Sequence, residues 1–170
     1  MTETEDTSSI LLVRNLMAVG VPTCSLDTPV IDLARKMLDN DWEAVAVLES
    51  EQGHAVGVVS RAALIEAFAH GVREGISAED IMKPGLPTVP PDIPLTAAAQ
   101  IMLDLQVRAI YVTHHAGGIE YPAAWLTYTH LLRRLVGDPV EDLGIRAERE
   151  LPMETFFKRR DEARKKAGLG

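Results

Sequence analysis

The residues in this 170-residue chain that are able to do chemistry are few and scattered. Its five histidines include no His-x-x-x-His pair, and neither a Gly-x-Ser-x-Gly elbow nor a glycine-rich phosphate loop occurs. Cys24 is the only cysteine, which excludes an internal disulfide and a Cys-x-x-Cys metal site and leaves a small buried hydrophobe. His114-His115 falls beside Gly117-Gly118 and reads as part of an exposed turn. Hydroxyls do recur at matched places. Thr23 and Thr88 each follow a proline, Ser60 and Thr127 each close an apolar run, and Trp125 and His130 flank Thr127. Their spacing singles out no acid, base or nucleophile, so catalysis is not expected.

The matching of places has a cause. Residues 13–64 and 77–131 are two versions of one unit. A shift of 65 positions carries Met17 to Met82, Pro22-Thr23 to Pro87-Thr88, Asp27 to Asp92, Pro29 to Pro94, Met37 to Met102 and Ala44-Val45-Ala46-Val47 to Ala109-Ile110-Tyr111-Val112. Two extra residues then bring Ser60 onto Thr127 and Leu64 onto Leu131. Paired supersecondary units of this kind bury a face together.

In the first unit, Val21 to Ser25 reads as extended, and Asp27-Thr28-Pro29 as a helix start with Asp27 or Thr28 as the cap. Val30, Leu33, Ala34, Met37 and Leu38 follow at helical spacing and give one face to bury. Asp39-Asn40-Asp41 ends that helix. Ala44 to Leu48 reads as a buried strand, Ala55 to Ser60 as its partner, and Arg61 to His70 as a second helix. The second unit repeats the order, with a helical stripe from Leu95 to Leu103, a strand from Ala109 to Thr113, a turn over His114 to Glu120, a strand from Tyr121 to Thr127 and a helix from Tyr128 to Val136. Gly71 to Ser77 is a short connector. The methionine, leucine and alanine stripes are core packing.

The formal net charge of −8 is unevenly spread. Residues 146–170 hold eight Lys/Arg against five Asp/Glu, which leaves nine basic against twenty acidic residues in 1–145. An acidic body of this kind repels nucleic acid. The basic end, Lys158 to Lys166, suits RNA, an acidic partner or the chain's own acidic body, with a solvated helix as the plainer reading; Pro139 and Pro152 punctuate the approach, and helix is expected over Met153 to Ala167 with Phe156 and Phe157 as its anchor. No apolar run approaches membrane-spanning length and the acidic N-terminus is unlike a signal peptide, so a cytoplasmic protein is expected.

The duplicated order of extended segment, helix, two strands and helix resembles the CBS-domain family, in which two tandem repeats form a Bateman module. The marks are the Asn15-Leu16-Met17 and Asp80-Ile81-Met82-Lys83-Pro84 openings, the two Pro-Thr pairs, the helix cores Ala34-Arg-Lys-Met37 and Ala99-Gln-Ile-Met102, and the closing Gly57-Val-Val-Ser60. The resemblance implies an α/β fold of two β-α-β-β-α repeats, residues 10–75 and 76–137, packed as one module; the basic helical extension expected over 138–170 lies outside it.

It also implies a regulatory binding role, with AMP, ADP, ATP or S-adenosylmethionine in a cleft between repeats and no required cofactor or metal. The family's cleft signature is Gly, two apolar residues, Ser/Thr, two of any kind and Asp, the hydroxyl serving phosphate and the Asp serving ribose. Here Ser60 and Thr127 are retained, but Ala63 and His130 stand at the Asp positions and Ala124 at the second Gly. His130 can accept or donate a hydrogen bond, and Trp125 shares a strand face with Thr127, where it can stack on a purine or pack in the core. The resemblance thus carries Thr23, Ser60, Thr88, Trp125, Thr127 and His130 as adenosine-nucleotide-binding residues, with the Thr88, Trp125, Thr127 and His130 half preferred. Two readings stay open: a sensor that signals to an unidentified protein partner, and a ligand-free scaffold for dimerisation or partner binding. A homodimer through Leu64, Ile65, Phe68, Leu131, Leu132 and Leu135 is expected under either.

Overall fold

The computed structural model describes residues 10–49 and 53–138. The first repeat opens with one helical turn, α1 (Val13–Leu16), and a two-residue strand, β1 (Ala18–Val19). Strand β2 (Thr23–Ser25), helix α2 (Val30–Asp39), strands β3 (Ala44–Leu48) and β4 (Ala55–Ser60) and helix α3 (Arg61–Ala69) follow. The second repeat has the turn α4 (Ala78–Ile81), strand β5 (Lys83–Pro84), helix α5 (Leu95–Asp104), strands β6 (Ala109–Ala116) and β7 (Ile119–Thr127) and helix α6 (Tyr128–Leu135). Its counterpart of β2 is reduced to a single parallel bridge between Thr88 and Tyr111, matching the Thr23 to Ala46 pairing of β2 and β3.

The expected mixed α/β repeats are present, with one rearrangement that periodicity does not reveal. Each repeat lends its opening to the other. The sheets run β2-β3-β4-β5 and β1-β7-β6, so β1 of the first repeat pairs with β7 of the second, and β5 of the second with β4 of the first. The exchange is symmetric to the residue: Ala18 faces Trp125, and its counterpart Lys83 faces Val58. Backbone bonds repeat it, since Val30 N–H donates to Ile76 O at 3.1 Å and Leu95 N–H to Leu11 O at 2.9 Å. Val13 and Leu16 consequently sit in the core with Leu95, Ala98, Met102, Ile110 and Leu126, while Ala78 sits with Leu33, Met37, Val45, Val47 and Val59. A short apolar opening has no face of its own to bury and finds one on the neighbouring repeat.

Two local expectations are corrected. Neither Asp27 nor Thr28 caps α2. Pro29 occupies that position with no side-chain bond, and Ser25 N–H instead donates to Thr28 Oγ1 at 3.2 Å in the preceding turn. The second hairpin turns only at Gly117-Gly118, whose φ values of +60° and +80° suit a tight turn of twisted strands, so His114 and His115 are strand residues opposite Tyr121 and Glu120, though exposed as expected. The connector 71–77 is also more than a link, because Ile76 and Ser77 dock on the start of α2. The expected basic helical extension, with Phe156, Phe157 and Lys158 to Lys166, lies outside the described residues.

Candidate functional site

Side chains directly paired across strands share a face. On the first sheet this sets Thr23, Ala46, Val58 and Lys83 in one row, with Ala44 and Ser60 in the next. On the second sheet the corresponding rows are Thr88, Tyr111, Trp125 and Ala18, then Ala109 and Thr127. These two faces meet: Ala18, Val21, Ala44, Ala46, Ala109, Tyr111 and Trp125 form one buried cluster, with Val58 packed against it. All six sequence-derived site residues but His130 stand on these rows. The repeats line the layer unequally, because Ala46 and Val58 are small where Tyr111 and Trp125 are large.

Ser60 and Thr127 end β4 and β7 and cap the helices that follow. Ser60 Oγ accepts from Ala63 N–H at 3.2 Å, and Thr127 Oγ1 accepts from His130 N–H at 3.4 Å. His130 reciprocates: its Nδ1 accepts from Thr127 N–H at 3.1 Å, which fixes the neutral tautomer with hydrogen on Nε2. Thr127 and His130 are buried, whereas Ser60 is half-buried. Burial, with help from the Arg133 charge, lowers the His130 pKa from 6.5 to about 4, so it offers no positive charge to a phosphate at neutral pH. Its ring stands edge-on to Trp125, 6.3 Å between centroids, and Trp125 in turn lies 6.4 Å from the Tyr111 ring at a 22° tilt. The structure therefore gathers Trp125, Thr127 and His130 into one group, with Thr88 beside it at the exposed rim; Ser60 and Thr23 belong to the opposite wall.

Gly57 has a steric reason. A Cβ there would lie 2.7 Å from Lys83 O on the exchanged strand β5, a distance no side chain tolerates. Ala124, its counterpart, faces Val19 of β1. Cys24 is half-buried, and burial pushes its thiol up to about 11, so it is unreactive at neutral pH.

Three further residues belong to this layer and were not found from sequence. Glu43 and Arg108 are counterparts under the 65-residue shift, yet they approach each other, Glu43 Oε2 lying 4.0 Å from Arg108 Nη1. Equivalent residues of two repeats meet only near the axis relating them. Both sit beside a helix start: Glu43 O accepts from Arg61 N–H and Arg108 O from Tyr128 N–H. The third is Tyr111, whose size against Ala46 was visible in the aligned repeats. Its position on the layer face was not.

The CBS domain family model matches residues 13–70 and 78–137. The chain belongs to the CBS-domain family. No match was found among the curated proteins. Solved CBS pairs share the fold: the CBS domain pair of protein MJ0100 in complex with 5′-methylthioadenosine and S-adenosyl-L-methionine is 18% identical, with a TM-score of 0.63, over 75% of this chain and 100% of that one. CBSX2 in complex with AMP is 21% identical with a TM-score of 0.59, covering 74% of this chain and 96% of that one. PAE2072 from Pyrobaculum aerophilum, complexed with AMP, is 18% identical with a TM-score of 0.58, covering 71% and 90%. The chain is thus a tandem CBS-domain protein with the fold of a CBS pair.

Proposed function

We propose that this protein is a non-catalytic regulatory CBS pair that binds an adenosine-containing ligand, AMP, ADP, ATP or S-adenosylmethionine, between its repeats and relays binding to a protein partner. The observation that carries this reading is the shared layer itself, onto which the helix starts at Ser60 and Thr127 open from opposite walls beside Arg108. Helix N-termini and a guanidinium suit a phosphate, and the apolar rows of Ala46, Val58, Tyr111 and Trp125 suit a base. A ligand touching both walls binds one relative arrangement of the repeats better than another, which is the requirement for a switch.

The output face would be the pair α3 and α6, rooted directly at Ser60 and Thr127. Leu64 and Leu131 pack on the cores beneath, while Ile65, Phe68, Leu132 and Leu135 are exposed. We assign this doubled apolar face to a homodimer contact. Among the described residues no helix is long and apolar enough to cross a membrane, and we place the module in the cytoplasm. One observation favours the second reading, a ligand-free scaffold: Ala63 carries no acceptor for a ribose hydroxyl, and the imidazole at 130 spends Nδ1 on the helix cap. Mass spectrometry of the purified, denatured protein separates the two. A carried-over adenosine compound in stoichiometric amount supports the sensor; none, together with no thermal shift from any of the four ligands, supports the scaffold.

A further inference from the structure

Helix α2 buries Val30, Leu33 and Met37 and turns a mixed apolar and charged face outward. Ile31 and Leu38 are 55% and 75% exposed. Beside them an open groove of about 420 Å³ is lined by Asp27, Asp32, Arg35, Lys36 and Asp39, among others. Spacing by seven keeps Ile31 with Leu38 and Asp32 with Asp39 on neighbouring stripes, with Arg35 between them. Charge runs in blocks along this face: acidic at 27 and 32, basic at 35 and 36, acidic at 39. The one ion pair within it, Arg35 to Asp32 at 3.2 Å, is exposed on both sides and so contributes little to holding the helix. The duplication offers a comparison. In α5 the 65-residue shift puts Thr96 in place of Ile31, and Ala97, Gln100 and Ile101 in place of Asp32, Arg35 and Lys36. The repeat fold therefore does not require this pattern.

We propose that this face of α2 is the docking site for residues 156–166 of the same chain. That segment carries the inverse order of charge: Lys158-Arg159-Arg160 basic, Asp161-Glu162 acidic, Arg164-Lys165-Lys166 basic. Laid along α2, its acidic pair meets Arg35 and Lys36, and its basic blocks meet Asp27 with Asp32 and Asp39. Both orders are symmetric about their centres, so the match holds in either direction. Phe156 and Phe157 precede the first basic block and cover the apolar margin at Ile31 and Leu38. The connection is long enough. Phe156 stands 18 residues beyond Asp138, where the described chain ends. An extended stretch of that length reaches about 60 Å, against a radius of gyration of about 15 Å for a chain of this size. Attachment to the same chain raises the segment's local concentration, so a set of individually weak exposed pairs suffices to hold it.

Paramagnetic NMR on the 170-residue chain tests this, with Cys24→Ala in every sample and a nitroxide on Ala163→Cys, between the acidic pair and the second basic block. At low salt the label should broaden amide signals over 31–39 and leave those over 96–104 sharp. The broadening should vanish at 1 M salt, where the Debye length is about 3 Å. It should vanish likewise in Arg35→Glu with Lys36→Glu, and return when Asp161→Lys and Glu162→Lys are added, because the charge order is then matched again. Phe156→Ser with Phe157→Ser, which leaves α2 itself unchanged, should weaken it. No broadening of α2 at low salt, broadening centred on α3, α5 or α6 instead, or no recovery in the charge-swapped chain would each overturn the proposal. So would broadening of α2 only in mixtures where label and isotope sit on different chains, which would assign the face to a second copy.

Discussion

Thr127 and His130 close a reciprocal pair of hydrogen bonds at the start of α6, hydroxyl to backbone N–H and imidazole to backbone N–H, inside a buried site. The second bond exists only while Nδ1 is unprotonated.

Acid should therefore open this cap. The folded His130 pKa of about 4 lies below its ordinary 6.5, so the unfolded chain binds the proton more tightly. Stability is intact above pH 6.5 and falls as pH drops toward 4. The loss between pH 7 and pH 5 should be about 1–2 kcal/mol, because a tenfold rise in proton concentration within that window favours the unfolded chain by up to about 1.4 kcal/mol. His130→Gln keeps an acceptor at the cap without the titration. Urea denaturation at the two pH values should show the loss in wild type and a smaller one in the variant.

The two caps should differ in worth. Thr127→Ala removes a buried cap and should cost about 1–2 kcal/mol of stability, while Ser60→Ala, half-buried, should cost about 0.5–1 kcal/mol. Adenosine nucleotide affinity should follow the same order, Thr127→Ala losing about 1 kcal/mol or more and Ser60→Ala less. Equal effects on both readouts would contradict the unequal burial of the two sites.

The exchanged openings make the repeats interdependent. A fragment of residues 77–138 lacks β1 and the buried Val13 and Leu16, each worth about 1.5–3 kcal/mol, and exposes the edge of β7. It should be unfolded or aggregated by NMR. Adding residues 10–76 as a separate chain should restore dispersed resonances.

How far the sequence reached follows from which contacts are local. Helix α2 and the hairpin β3–β4 were legible because Val30, Leu33 and Met37 follow one period and Ala44 to Leu48 form a short apolar run ending at a turn. Thr127 and Ser60 were legible as matched hydroxyls ending strands. The exchange of β1 and β5 was not, since two-residue strands carry no period and their partners lie in the other repeat. Likewise Glu43 and Arg108 were a plain charge difference between aligned repeats until the fold placed both at the axis.

The apolar face of α3 and α6 should hold two chains together. Phe68→Asp and Leu135→Asp each place a carboxylate on an exposed part of that face and should convert a dimer to a monomer in light scattering, with melting temperature little changed. A wild-type monomer at high micromolar concentration would remove the basis for this contact.

Binding between the repeats is the central claim, and titration calorimetry of the 170-residue chain with AMP, ADP, ATP and S-adenosylmethionine tests it most directly. The prediction is saturable heat with at least one of the four, weakened by Thr127→Ala. No heat with any of them, with no accompanying rise in melting temperature, would contradict it.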